Sequence, residues 1–469
     1  MHERSRWQGC STRLLFPGAS RIGVLLLWSV LAGAGWMEAG FTSAGVHAAD
    51  RVESGASTPP KGALVIIGGS ARHDNAAIWS EVLRLAGGPG KRIAVFPSAS
   101  SYPIKNGERA VKLLRSHGAD AFLVPLALSG FDGVRHDDVA RDPHWVEQVR
   151  GAHGVFFIGG SQSRIREALV EADGANTPML DAVWDVYHRG GVVSGTSAGA
   201  AIMSRVMFRD AGVVLNTLLH GVRMGKEMDH GLGFLDGDWF VDQHCLVRGR
   251  FARAIVAMQA QNMHFGLGID EDTAVVVEHG GQARVVGNRG AVVLDLSQAR
   301  TDSKSANFNI HNARLTYLNH GDEIHLRTLA VTPNPQRAVD RTIDPRASDF
   351  KPSIQRRLFF LDVLANTTLV DIMHRVIDHQ EGLAVGLAFD GGAATQGSTP
   401  GFEFRFYRGA DSLGWETEDH GTTDCTVQNI HLDIRPVTVH GPLYGDRDPS
   451  EENRREKAGG AVAGGPTSK

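Results

Sequence analysis

From residue 61 to about 300 the chain alternates short apolar runs closed by glycine with longer stretches in which apolar residues return every three or four positions. Runs of the first kind read as strands buried on both faces, and stretches of the second kind as helices with one face on a core. Strands are predicted at "ALVIIGG", "RIAVFPSAS", "AFLVPL", "GVFFIGG" and "GVVSG". Helices are predicted at "DNAAIWSEVLRLAG" and "TPMLDAVWDVYHRGG", each with a polar start and a closing glycine. In the second helix Thr177 is placed to cap the N-terminus and Pro178 to occupy the first helical position. This alternation predicts an α/β fold with a mostly parallel sheet covered by helices. Such sheets hold ligands beyond the carboxyl ends of their strands, where "VFPSAS", "FFIGGSQ" and "SGTSAG" all fall.

Past residue 300 the texture changes. "SKSANFNIHNARLTYLNHGDEIHL", "GFEFRFYRG" and "VQNIHLDIRPVTVHG" are alternating and aromatic, with one helical interruption near Asp371 to Gln380, and predict a β-rich domain over residues 301–445. Residues 446–469 are polar and glycine-rich and read as a disordered tail. No internal repeat is evident.

The first 49 residues form a separate segment. Arg4, Arg6, Arg13 and Arg21 precede an apolar run from Ile22 to Trp36, and Val46-His47-Ala48 supplies a small-residue cleavage pattern. A signal peptide cut after Ala48 or Ala49 is expected, which places the product in the periplasm or the medium. About 420 residues then remain, enough for two domains. With 48 basic and 52 acidic residues, a net charge of -4 and 42% hydrophobic content, nucleic acid is not an expected partner. No later stretch is apolar enough to span a bilayer, so no membrane insertion is expected after cleavage. Of three cysteines, Cys10 lies in the signal and Cys245 and Cys425 are far apart, so a disulfide framework is not expected, and a single long-range bridge between the last two stays open.

The chemistry concentrates at "GGVVSGTSAGAAIM", residues 190–203, where Ser197 stands between glycine-bearing flanks as a strand turns into a helix. A serine hydroxyl attacks a carbonyl only when a base takes its proton and fixed donors receive the oxyanion. A sharp strand-to-helix turn lifts the side chain clear of the sheet, and the helix start offers the free N–H of Ala198. By itself the motif also fits a close glycine-lined contact between strand and helix. "DWFVDQHCLVRGRFAR" supplies His244 as a general base ahead of an amphipathic helix, and "FGLGIDEDTAVVVEHG" supplies Glu271 as the acid that orients it. Asp270 and Asp272 are placed as well as Glu271, and spacing does not choose among the three. Arg248, Arg250 and Arg253 crowd one helix start, where the dipole disfavours cations, so something must compensate them. Arginine forks suit an acidic or zwitterionic ligand, and Asp242 is placed to receive a cationic group.

"GGSQSRI", "GTSAGA", "DQHCLVRGRFAR" and "GLGIDEDTA" in this order resemble the cyanophycinases, serine exopeptidases related to the α-aspartyl dipeptidases. The resemblance covers residues 61–300, implies a class I glutamine amidotransferase-like fold for that catalytic domain, and marks Ser197 as nucleophile, His244 as base and Glu271 as third member. Gln162, Asp242, Gln243, Arg248, Arg250 and Arg253 match residues that shape the family's substrate pocket, with Ala198 and Gly160 as the oxyanion donors. It implies hydrolysis of cyanophycin, a polyaspartate with arginine on each β-carboxyl, to β-aspartyl-arginine dipeptides. It implies a homodimer and no cofactor, and the sequence carries no HExxH, CxxC or Walker pattern. Cys245 departs from the pattern, standing where relatives commonly carry an aromatic residue. The region after 300 is absent from compact members; substrate capture, dimer contact and core completion are its candidate roles, with core completion ranked first. Other readings are an aspartyl or isoaspartyl dipeptidase, an inactive binder of polyanionic peptides, and an esterase. The last is disfavoured by the chain order Ser, His, Glu, since α/β-hydrolases run Ser, acid, His.

Overall fold

A computed structural model describes residues 62–444 apart from 211, 420 and 421. The predicted signal peptide and tail lie outside the described residues. All five predicted strands form, at Ala63–Ile67, Arg92–Phe96, Asp120–Leu123, Gly154–Phe157 and Val192–Thr196. They pair in parallel, with Ala63–Ile67 beside Val192–Thr196, then Gly154–Phe157, Arg92–Phe96 and Asp120–Leu123. Side chains alternate between two cores. Leu64 and Ile66 pack with Leu180, Val183 and Val186 of the helix Pro178–His188, while Val65 and Ile67 pack with Ile78, Trp79 and Val82 of the helix Ala76–Leu85. Thr177 caps its helix as predicted, its hydroxyl accepting from the Leu180 N–H at 3.3 Å, with Pro178 first in the helix.

The expected mostly parallel sheet needs correcting to a mixed one. On the far side of Ala63–Ile67, the strands Thr273–Val277, Gln282–Gly287, Glu323–His325 and Val331–Thr332 extend the same sheet with antiparallel pairs. Short connections such as the Gly280-Gly281 turn leave no length for the crossover that a parallel pair requires.

A second sheet runs from Trp239–Gln243 through Phe265–Ile269, Ala291–Asp295, Ile310–Leu318, Thr422–Val439, Thr399–Asp419 and Leu383–Phe389 to Leu358–Phe360, with Arg341–Ile343 alongside Thr399–Asp419. Its long hairpin is the predicted aromatic alternation, with Phe402, Phe404 and Phe406 turned into the core and Glu403 and Arg405 turned away from it. Each buried phenylalanine contributes on the order of 2–3 kcal/mol. Residue 300 is crossed in both directions. Ala291–Asp295 pairs with Ile310–Leu318 in the second sheet, and Glu323–His325 belongs to the first.

The helix expected near Asp371 to Gln380 spans Thr368–Ile377, and the short helices Pro335–Asp340 and Gly391–Gln396 were not anticipated, although Asn334 and Asp390 cap them. The helix Phe251–Ala260, expected to be amphipathic, is buried at every position from Phe251 to Met258, because the second sheet covers the side that would otherwise face water. Among the described residues no helix is long and apolar enough to cross a membrane.

Candidate active site

Val192–Thr196 ends at Ser197, whose backbone takes φ +55° and ψ −110° before the short helix Ala198–Ala201 begins. A conformation this rare for a residue with a side chain costs of order 1–3 kcal/mol and persists only where its surroundings fix it. Here the Ser197 N–H donates to the Ile67 carbonyl at 2.9 Å, and the Ser197 carbonyl accepts from Ala200 and Ala201 at 2.9 and 3.0 Å. The glycines permit the close approach, since a Cβ on Gly195 would lie 2.2 Å from the Gly199 carbonyl oxygen. Ala198 is the first helical residue, so its N–H has no intrahelical acceptor.

The partners of Ser197 come from the other sheet. Trp239–Gln243 and Phe265–Ile269 are parallel neighbours with Gln243 opposite Ile269, so His244 and Glu271 emerge side by side. His244 also has positive φ, +49°. Its Nε2 lies 3.0 Å from Ser197 Oγ and its Nδ1 lies 2.7 Å from Glu271 Oε1. Of the three carboxylates that the sequence leaves open, Glu271 is the one hydrogen-bonded to the His244 ring. Asp270 Oδ1 accepts the N–H groups of Leu246 and Val247 at 3.1 and 3.0 Å, which pins the turn following His244. Asp272 accepts from the Arg72 N–H, Asn75 and Asn288 at 2.8, 2.8 and 2.6 Å.

The two sheets close on each other at Gly69, beyond the end of Ala63–Ile67. A Cβ there would lie 2.3 Å from His244 Cε1 and 2.5 Å from its Nε2, and the glycine has φ +126°. Burial lowers the His244 pKa, and Arg248 and Arg250 push it the same way against the opposing pull of Glu271. For Glu271 burial acts upward, but the hydrogen bond and charge of His244, the neighbouring Ser70 and the Arg248 guanidinium outweigh it and hold the carboxyl below its usual range.

Ser197 and His244 open into a cleft of about 450 Å³ lined by Gly160, Ser161, Gln162, Phe208, Arg209, Asp210, Gln243 and the three predicted arginines. Gln162 is fixed on its rim, its Nε2 donating to the Phe208 carbonyl at 2.7 Å. Arg250 Nη1 donates to both the backbone and side-chain oxygens of Gln243 at 2.8 Å. Burial, with Arg253 and Arg248 adding to it, pushes the Arg250 pKa down to about 10. Arg248 is half exposed, 3.9 Å from Glu271.

The expectation that Asp242 receives a cationic group of the ligand needs correcting. Its carboxylate is 2% exposed and held bidentately by Arg253 at 2.7 Å for both bonds, so neither oxygen faces the cleft. The same pair answers the question of what compensates the arginine cluster. Arg253, itself 4% exposed, is neutralised by Asp242 and stacks over the Phe208 ring at 4.4 Å.

Cys245 lies wholly in the core, its Sγ against Gly268, and burial raises its pKa well above the ordinary value. It and Cys425 are both buried free thiols. Arg209, Asp210 and Gly69 were not singled out from the sequence. The first two directly follow the short strand Val206–Phe208, and Gly69 is the second glycine closing "ALVIIGG". A doubled glycine at a strand end signals close approach, but nothing in the pattern says to what. Among the described residues no group of three or more His, Cys, Asp or Glu side chains is placed to hold a metal ion. A more apolar cavity of about 500 Å³, lined by Tyr187, Trp239 and Phe265, lies at the opposite ends of the strands, near Gly62 and Val277.

No family model matches the chain. Curated relatives do. The cyanophycinase of Nostoc sp. is 30% identical over 290 residues, covering 59% of this chain and 90% of the relative. That of Geminocystis herdmanii is 31% identical over 273 residues, covering 56% and 93%, and that of Synechococcus elongatus 33% identical over 276 residues, covering 57% and 80%. Among solved structures, a peptidase from an acI-B1 Actinobacterium aligns with a TM-score of 0.41 at 20% identity, over 57% of this chain and 97% of that one. At near-complete coverage of relatives at least 30% identical, the chain belongs to the cyanophycinase family of serine-type peptidases.

Proposed function

We propose that the protein is an exported serine exopeptidase that hydrolyses cyanophycin to β-aspartyl-arginine dipeptides, with Ser197, His244 and Glu271 as its catalytic residues. The observation that carries this reading is the unbroken contact from Ser197 Oγ through the imidazole to Glu271, with both Ser197 and His244 on positive-φ backbone. Strain in two consecutive members of a hydrogen-bonded chain is expected where positioning serves chemistry.

For Nε2 to accept the Ser197 proton, the other ring nitrogen must carry its own hydrogen, and Glu271 accepts that Nδ1–H and so selects the tautomer. Ser197 Oγ attacks the scissile carbonyl as its proton passes to Nε2. The new C–O bond leaves negative charge on the former carbonyl oxygen, which the N–H groups of Ala198 and Gly160 are assigned to receive. The imidazolium returns the proton to the departing amine, and water then repeats the sequence to release the acid and restore Ser197. Arg248 and Arg250, the latter oriented by Gln243, give the cleft positive character that suits the carboxylates of a polyaspartate chain. A chain displaying both carboxylates and guanidinium groups fits a cleft lined by arginines and Asp210.

The parallel half of the first sheet, with its nucleophile at the carboxyl end of Val192–Thr196, supports the class I glutamine amidotransferase-like assignment. The region after 300 is assigned to core completion, because its hairpin packs Phe404 against Phe251 in the helix that follows the His244 turn. The basic and apolar N-terminal pattern supports export, and a homodimer is carried over from the family resemblance.

Incubating the protein with insoluble cyanophycin, and separately with free aspartyl and isoaspartyl dipeptides, tests the reading by mass spectrometry of the soluble products. β-Aspartyl-arginine is expected from the polymer. Ser197→Ala is expected to bind the polymer still but to lose roughly 10⁶-fold in turnover. Turnover retained by that variant, or release only from free dipeptides, would overturn the assignment.

A further inference from the structure

With Asp242 sealed against Arg253 and Glu271 committed to His244, the charges that line the cleft are unevenly spoken for. Four arginines, 209, 248, 250 and 253, face one carboxylate, Asp210. Asp210 is exposed and pairs with no cation among the described residues. Its neighbour Arg209 turns instead toward Asp229, 3.7 Å away. The residue before Asp210 is tied down, because the Arg209 N–H donates to the Glu227 carbonyl at 2.8 Å and joins the end of Val206–Phe208 to the adjoining strand Met228–His230. Beyond Arg209, which lines both, lies a second cavity of about 420 Å³ bordered by Asp137, Glu167, Glu171 and Asp229 against only Arg166 and Arg209. Those acids are largely answered by arginines, Asp137 and Glu171 by Arg141 and Asp229 by Arg166 and Arg209, so Asp210 stands out as the carboxylate without such a partner, across the cleft from the positive charge of Arg248 and Arg250.

We infer that Asp210 is a specificity-determining residue that receives the guanidinium of the substrate's arginine, the role the sequence reading gave to Asp242. This rests on the proposed substrate. A ligand unit carrying a carboxylate and a guanidinium then spans the cleft, its anion toward Arg248 and Arg250 and its cation toward the rim. A carboxylate on that rim distinguishes a guanidinium from an uncharged group of the same shape, because only the former makes a charge-assisted hydrogen bond to it.

Binding measured by calorimetry on the full chain carrying Ser197→Ala separates recognition from turnover. The probes are short polyaspartate oligomers bearing either arginine or its neutral isostere citrulline on the β-carboxyls. The arginine form is expected to bind about tenfold more tightly, the lower end for a hydrogen bond between charged groups because the rim is wet. Adding Asp210→Asn is expected to bring the ratio close to one by weakening the arginine form alone, and Asp210→Glu to restore part of it. Asp210 is exposed, so these changes should leave the fold intact. Equal binding of the two oligomers, no binding of either, or a preference that survives Asp210→Asn would each overturn the inference. Turnover of cyanophycin by the unsubstituted protein is read separately, so a failure of the proposed function is not confused with a failure of Asp210.

Discussion

The two sheets reach the candidate site in different ways. The first ends a buried parallel strand on Ser197, the proposed nucleophile, on a turn fixed by backbone hydrogen bonds. The second brings two adjacent strands to the same level, so His244 and Glu271 are set by strand register. The Ser197 turn is thus a local feature, whereas in the proposed mechanism its activation depends on how closely the sheets approach. The second sheet also carries the arginines and the buried Asp242–Arg253 pair. Glu271, Arg248, Arg250 and the Asp242–Arg253 pair thus all stand on the side of His244, while the cleft wall beside Ser197 adds Ser161, Gln162, Arg209 and Asp210.

The largest separation between the two sides should come from Glu271→Gln. The substitution keeps the shape but turns an acceptor into a group that can present a donor to Nδ1, which disfavours the tautomer that Ser197 requires. Turnover should fall about 10⁴-fold with KM little changed, by analogy with loss of the orienting acid in other serine hydrolases. Asp272→Asn should not reproduce that kinetic pattern, because Asp272 holds Arg72, Asn75 and Asn288 and does not touch the imidazole. Steady-state kinetics on both variants decides between register and mere acidity as the origin of the effect.

Closing distance is tested next by Gly69→Ala. The added methyl would occupy space now filled by the His244 ring, at a backbone φ that alanine adopts only with strain. A displacement of the imidazole by about 1 Å costs on the order of 10²-fold in turnover. The expected signature is a fall in kcat with binding of the polymer retained by sedimentation. An unchanged kcat would mean that the sheets can part without cost, and that the apposition is not what activates Ser197.

The same division explains what was legible in the sequence. The five parallel strands, the Thr177 cap and the Ser197 turn were readable because each is encoded within about ten residues by period, cap and glycine placement. The phenylalanine alternation of the hairpin was equally local. Antiparallel growth of the first sheet was missed because it joins strands more than two hundred residues apart in the chain, Leu64 pairing with Val277. The choice of Glu271 over Asp270 and Asp272 was open for the same reason: three consecutive carboxylates have the same pattern and differ only in what the neighbouring sheet places before them. Asp242 was misread because a carboxylate and an arginine eleven positions apart look free until the helix Phe251–Ala260 folds one onto the other.

The smallest expected effect concerns the charge around the imidazole. His244 must be neutral to accept the Ser197 proton, so kcat/KM should rise with pH as the imidazolium deprotonates. Burial lowers that pKa from the ordinary 6.5, with Arg248 and Arg250 adding to the effect and Glu271 opposing it. The acidic limb of the profile should therefore lie below 6.5. Arg248→Gln removes a cation that disfavours the imidazolium, so the limb should move up toward the ordinary value. Glu271→Gln removes the anion that favours it, so any residual activity should show the limb displaced further down. Arg248 is half exposed, and screening should blunt its contribution, so added salt should move the limb of the unsubstituted protein in the same direction as Arg248→Gln. Because Arg248 also faces the ligand, the limb's position is the informative quantity, independent of its height. A limb that stays in place in Arg248→Gln while the plateau falls would assign that arginine to substrate alone and leave burial as the chief cause of the shift.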